Sequence, residues 1–368
     1  MSDPRTPLSH LKVVSMAEQY PGPFCTMILS DLGADVVQVE RPETGDPARL
    51  FNPFYEAINR GKRSVTLDVK QPEDRNQLLE LLQEADVFLE GFRPDKLAKL
   101  GLGYNDVKAI NPKLIYCSIS GFGQTGPYRN RPAHDLTYQG VAGALDERMN
   151  GDISGLPPSF LLGDTMSALY ATIGILTALN AREKNGEGGY IDISLTDCVA
   201  SAMTAFTAMS DQDDGIAPPQ AEPAYDLFEC ADGKWLTLSI AHENNYWAEL
   251  CKTLGLDGMV SLKRHERVAR RGELKGMIED RIRQRARDEW ASIFEQTDQM
   301  WGPANTLNEA PFDRGLMARE LYHRLKRNDG VEQWITRQPI VFSNYQNAPL
   351  APAPELGANN EDLLKSGS

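Results

Sequence analysis

Residues 12–40, KVVSMAEQYPGPFCTMILSDLGADVVQVE, decide the fold of this chain. KVVSMA is a short run rich in β-branched residues, PFCTMILSDLG carries a helical pattern closed by Gly33, and DVVQVE returns to a strand. Strands separated by a helix pair in parallel, because only a crossover brings the chain back in the same direction. The unit recurs. SVTLDV (64–69) is followed by PEDRNQLLELLQEA (72–85), with Pro72 at the helix start, and then by DVFLEGF (86–92). LIYCSIS (114–120) and, beyond an apolar helix over 165–181, GYIDISL (189–195) extend the series. The reading is α/β: an open, Rossmann-like parallel sheet with helices on its faces.

SISGFGQTGPYRNRPAHDLTY (118–138) places Gly121, Gly123 and Gly126 in G-x-G-x-x-G spacing. A dinucleotide loop needs its third glycine in the opening turn of a helix that receives a pyrophosphate. Pro127 to Pro132 follow here and cannot continue a helix. The glycines therefore read as a turn, and interest moves to Ala133, His134 and Asp135.

At 368 residues the chain is too long for one ordinary core. Residues 1–205 form the expected large domain, and the acidic, proline-rich 206–224 the expected linker. The segment 225–324 reads as a smaller α+β domain, opened by a hairpin around Asp232-Gly233 and continued by helices over 245–298. A formal charge of −14 argues against nucleic-acid partners and against anionic membranes. The basic-rich stretch 261–290 reads as a solvated helical face. Five scattered cysteines and five dispersed histidines suggest a reducing compartment and no metal centre. MSDPRTPLSH lacks a signal-peptide core and LLKSGS is not a peroxisomal address, so the expected location is cytoplasmic. TMSALYATIGILTALNA (165–181) is diluted by Thr, Ser, Gly and Asn and reads as a buried core helix, not a membrane span. The proline-rich APLAPAPELGANNEDLL (348–364) reads as an extended tail.

Four blocks carry a family resemblance: PGPFCTMILSDLGADVVQVERP, NRGKRSVTLDVKQPE, ADVFLEGFRPDKLAKLGLGY and NPKLIYCSISGFGQTGPY. In this order they resemble the class III CoA-transferase (CaiB/BaiF) family, which includes the α-methylacyl-CoA racemases. The resemblance implies a large domain built from both chain ends, with 325–368 returning to complete it, and an interlocked homodimer. It implies coenzyme A as part of an acyl-CoA substrate, with no prosthetic group. Arg41 matches a family arginine near the nucleotide end. Leu67, Asp68, Val69 and Lys70 match a strand end meeting the adenosine portion. Gly91, Phe92 and Arg93 match a second contact loop, Lys99 a basic position after it, and Ala133 and Tyr138, either side of the catalytic segment, complete the expected CoA-contacting set. Cations suit phosphates and apolar groups suit adenine.

His134, in RPAHDLTY, resembles the racemase pattern; Asp164, in FLLGDTMSA, matches an aspartate shared by both activities; Glu243, in SIAHENNYW, matches a racemase glutamate. A racemase needs two acid/base groups flanking the carbon beside the thioester. The favoured reading is an α-methylacyl-CoA racemase-type isomerase with His134 and Asp164 as that pair. Glu243 would orient His134, and Asp135 would open a helix whose amides steady an enolate oxygen. The alternative is a CoA-transferase with Asp164 as nucleophile and His134 incidental. A more remote reading is a non-catalytic acyl-CoA-binding protein. The bland reading of Asp164 is a helix N-cap. Two departures stand out: Thr165, Met166 and Ser167 replace the racemases' glycine run, and the glycine-rich lid of formyl-CoA-type transferases is missing.

Overall fold

The computed structural model describes residues 6–146, 160–210 and 221–364. The chain divides into a larger unit, Met1–Met209 with Glu320–Ser368, and a smaller one, Ser210–Arg319.

In the larger unit, β1 (Lys12–Ser15), β2 (Asp35–Glu40), β3 (Arg63–Thr66), β4 (Val87–Glu90), β5 (Ile115–Ser120) and β6 (Gly189–Ser194) form one six-stranded sheet, ordered β3-β2-β1-β4-β5-β6. All neighbours are parallel; Val13, for example, pairs with Val36 of β2 and Val87 of β4. Side chains alternate between two covered faces, as a sheet buried on both sides requires. Val13, Val87, Leu89, Ile115 and Cys117 pack on α1 (Pro21–Asp31) and α6 (Leu162–Asn185). Val14, Phe88 and Tyr116 point the other way, onto Leu78 and Leu82 of α3 (Pro72–Gln83) and Val107 of α4 (Tyr104–Ile110). The remaining α-helices of this unit among the described residues are α2 (Asn52–Asn59), α5 (Asp135–Val141), α7 (Leu195–Ala202), α8 (Thr204–Ser210) and a short one in the tail, Asn360–Leu363.

The apolar helix read over 165–181 is α6, and it differs from a fully buried one. Ala168, Ala171 and Ile175 are buried in the core, whereas Leu169 is 40% and Ile173 59% exposed. By length and composition alone α6 could cross a membrane. Its small residues bring one side close to the sheet, and among the described residues the other side has no cover.

The tail does more than lie extended. Asn359 pairs with Ser64 through both its amide and its side chain, and the Asn360 side chain accepts from the Thr66 amide. These bonds satisfy the free edge of β3. Before the tail, β10 (Tyr322–Lys326) and β11 (Glu332–Thr336) form an antiparallel hairpin that the sequence reading did not foresee.

The smaller unit pairs β7 (Tyr225–Glu229) with β8 (Trp235–Ser239) in the expected hairpin and adds β9 (Trp301–Ala304). β9 reads poorly as a strand because Gly302 and Pro303 interrupt it; as an edge strand it tolerates both. α9 (Asn244–Thr253), α11 (Arg271–Ile282) and α12 (Arg287–Phe294) cover the sheet with Trp247, Ile278 and Phe294. α10 (Arg264–Ala269) supplies Arg267, which pairs in the interior with Glu222 at 2.8 and 2.9 Å.

The boundaries differ from those read in the sequence. α8 runs through the first part of the expected linker 206–224, and residues 211–220 of it lie outside the described residues. Glu222 and Ala224 already belong to the smaller unit, the latter accepting from the Ile240 amide at 3.0 Å. The return to the larger unit begins at Glu320 rather than 325.

Candidate active site

Strand order reverses between β1 and β4, whose connections leave to opposite sides of the sheet. Open parallel sheets bind ligands beyond the carboxyl ends of the strands at such a point. A cavity of about 240 Å³ lies there in the larger unit, and His134, Asp135, Tyr138 and Asp164 line it, with Gly91, Phe92 and Ala133.

Asp164 lies in the first turn of α6 but does not cap it. The N-cap is Leu161, and no side chain bonds there. The carboxyl of Asp164 is instead left for chemistry: burial, with the charge of Asp135 second, pushes its pKa up to about 7. Asp135 braces it from below. One oxygen accepts the Asp164 amide at 3.0 Å; the other accepts the Gln139 side-chain amide, which also reaches the Phe160 carbonyl. Asp135 thus opens α5 as expected, but its carboxylate is committed to joining α5 and α6. Gly163 permits this approach, since a Cβ there would lie 3.0 Å from Asp135 Oδ1.

The glycines of 121–126 receive their explanation here. Gly121 faces the Tyr138 ring so closely that a Cβ would meet its hydroxyl at 2.6 Å, while Gly123 and Gly126 adopt φ of +77° and +84°. The next helix begins only at Asp135, so no pyrophosphate-binding turn follows. Tyr138 donates to the Ala133 carbonyl at 2.8 Å, and burial, then the charges of Asp164 and Asp135, push its hydroxyl up to about 12. His134 is exposed at the cavity wall, and its ring does not cap α5.

Glu243 has a local occupation. In the smaller unit its carboxylate accepts the amides of Ala241 and His242, both at 3.0 Å. Burial opposes ionisation, but these backbone donors outweigh it and hold the group below its ordinary pKa. Both bonds fall on one oxygen, Oε2, and close its own turn.

Most of the expected CoA-contacting residues follow strand ends. Arg41 follows β2 and is paired with Glu18 at 3.1 Å. Leu67, after β3, is buried; Asp68 donates its amide to Asp74 and accepts the amide of Lys70; Val69 packs against the core and Lys70 is exposed. Gly91, Phe92 and Arg93 follow β4, with Lys96 over the Phe92 ring at 4.3 Å. Lys99 is exposed on a short turn beyond. Of this set, only Gly91, Phe92, Ala133 and Tyr138 line the cavity.

Two features escaped the sequence reading. Glu90, the last residue of β4, is buried, bonded to Ser118, and accepts the Phe92 amide at 2.8 Å; burial pushes it up to about 7. Gln19 adopts φ of +68° in the cavity wall, held by the buried Asp46 carboxylate, both of whose oxygens lie 3.0 Å from the Gln19 amide. Positive φ at a residue other than glycine is backbone strain, and strain collects at functional sites.

Residues 8–360 match the family model of CoA-transferase family III. The chain belongs to that family. It is 33% identical to the succinate–glutarate CoA-transferase of Agrobacterium fabrum, over 99% of this chain and 96% of that protein. It is 31% identical to the acetyl-CoA:oxalate CoA-transferase of Acetobacter aceti, over 98% and 96%. Among solved structures, a CaiB/BaiF family protein from Brucella suis superposes with a TM-score of 0.85 at 34% identity, covering 97% of this chain and 98% of that one. This family III chain is therefore an enzyme of acyl-CoA chemistry. Its relatives are transferases, which moves the reading from the racemase favoured by sequence to the alternative held beside it. Among the described residues no cluster could hold a metal ion.

Proposed function

We propose that the protein moves coenzyme A between carboxylic acids, with Asp164 as nucleophile. The observation that carries this is a carboxyl at about 7, raised by burial and by Asp135, facing a small cavity at the switch point. A carboxylate of raised basicity attacks carbonyl carbon better than an ordinary one, and near neutral pH much of it is ionised. The Asp164 carboxylate attacks the thioester carbonyl, forming a mixed anhydride and releasing the CoA thiolate. The thiolate attacks the Asp164 carbonyl, giving an aspartyl-CoA thioester, and the donor acid departs with one former Asp164 oxygen. The acceptor carboxylate then attacks that thioester, and the returning thiolate takes its acyl group and frees Asp164. No net proton transfer is needed, so His134 has no part in the bond changes.

The relatives' named acids, succinate, glutarate and oxalate, support a short dicarboxylic substrate class. The bare side of α6, with Leu169 and Ile173 exposed, supports a homodimer, which sedimentation would reveal as a particle of twice the chain mass.

The test is transfer from succinyl-CoA to ¹³C-labelled glutarate. Wild-type protein should form labelled glutaryl-CoA, and Asp164→Ala should lose at least about a thousandfold in rate. Exchange of the α-proton in D2O without transfer would return the racemase reading.

A further inference from the structure

The transfer chemistry leaves His134 unused, yet its side chain stands on the wall of the cavity that Asp164 faces. We propose that His134 grips the remote carboxylate of a short dicarboxylic acyl group, and so selects diacids over monoacids of equal length. This rests on the CoA-transfer reading above.

The cavity is electrostatically one-sided. Asp135 and Asp164 line it, with Glu18 paired to Arg41 beside them, and among the described lining residues His134 is the one side chain able to carry positive charge. A diacid arriving with its second carboxylate ionised meets repulsion from these groups, so its acceptance depends on a partner at the wall. The neighbouring cations stand off this wall: Arg41 is paired with Glu18, Lys96 lies over the Phe92 ring at 4.3 Å, and Arg93, whose charge reaches Tyr138, does not itself line the cavity.

His134 is also uncommitted. Its ring makes no cap bond to α5, and the adjacent Asp135 carboxylate is occupied on both oxygens by the Asp164 amide and Gln139. The cavity, about 240 Å³ and open to solvent, has room for an acyl chain of a few carbons. With the reacting carbonyl at Asp164, the far end of so short a chain must end near the same wall.

The experiment compares acceptors matched in length, glutarate and pentanoate, with one acyl-CoA donor. Wild-type protein should favour the diacid in kcat/KM. In His134→Gln that preference should shrink by about tenfold to a hundredfold, the span of a hydrogen bond to a charged group, and chiefly through KM for glutarate. His134→Lys, which places a permanent cation there, should keep part of it. An unchanged ratio in His134→Gln would overturn the assignment, as would equal losses with both acceptors. So would an α-proton exchange that vanishes with His134. If wild-type protein transfers CoA to neither acid, the transfer reading itself fails, an outcome distinct from a lost preference.

Discussion

Glu222 in the smaller unit and Asp164 in the larger are both taken out of bulk water, with opposite electrostatic outcomes. Glu222 is fully buried against Arg267, itself fully buried and bonded further to Asn244, so every charge in the group has a partner. Asp164 has Asp135 beside it and a pKa of about 7. Paired burial makes a structural joint. Burial beside a like charge costs stability and leaves a reactive group. The same contrast runs inside the larger unit, where Glu40 is bonded to Arg49 and Ser64 and held below its ordinary pKa, while Glu90 is pushed up to about 7.

Breaking the joint should have the larger effect on stability. Arg267→Met leaves the buried Glu222 with only the longer Arg264 contact at 3.5 Å among its described ion pairs, and should cost up to about 3–5 kcal/mol in urea unfolding of the smaller unit. Adding Glu222→Leu should recover most of that loss; if the double variant is as unstable as the single one, packing rather than charge explains the effect.

Removing the reactive charge should do the reverse. The folded pKa of Asp164 is raised, so well below its ordinary value of 3.8 the group is neutral in both states and costs nothing. As pH climbs towards 7 the folded state resists ionisation that the unfolded chain accepts, and stability falls. Asp164→Asn should therefore gain on wild type progressively between about pH 4 and pH 7, by at most about 4 kcal/mol. Melting curves at pH 5 and pH 8 suffice. A gain independent of pH would mean the carboxyl is not held against ionisation.

The parallel sheet was legible because β-branched runs such as DVVQVE and DVFLE alternate with helices, and both faces of the sheet are apolar. β9 was not, since Gly302 and Pro303 erase the local signal and only pairing with β8 makes a strand of it. Asp164, His134 and Asp135 were legible as residues, and the cavity brings them together. Their division of labour was not. That Asp135 braces, which leaves Asp164 as the proposed nucleophile, depends on which oxygens already hold partners, and this involves a contact between two residues 29 positions apart in sequence. Racemase and transferase call for the same residue types, so sequence could pose that choice without deciding it. Glu90 and Asp46 gave no signal because a lone acid at a strand end or before a turn is commonplace.

The most direct measurement follows the oxygen atoms. Glutarate labelled with ¹⁸O in its carboxylates would be turned over with succinyl-CoA, and the peptide containing Asp164 weighed after digestion. In the proposed sequence the acceptor leaves one of its oxygens on Asp164 each time its anhydride is cleaved by the CoA thiolate. The account predicts ¹⁸O in the Asp164 carboxyl, accumulating with turnover. Labelled glutaryl-CoA formed while Asp164 stays unlabelled would contradict it, because the acid would then have taken the acyl transfer without passing through that side chain.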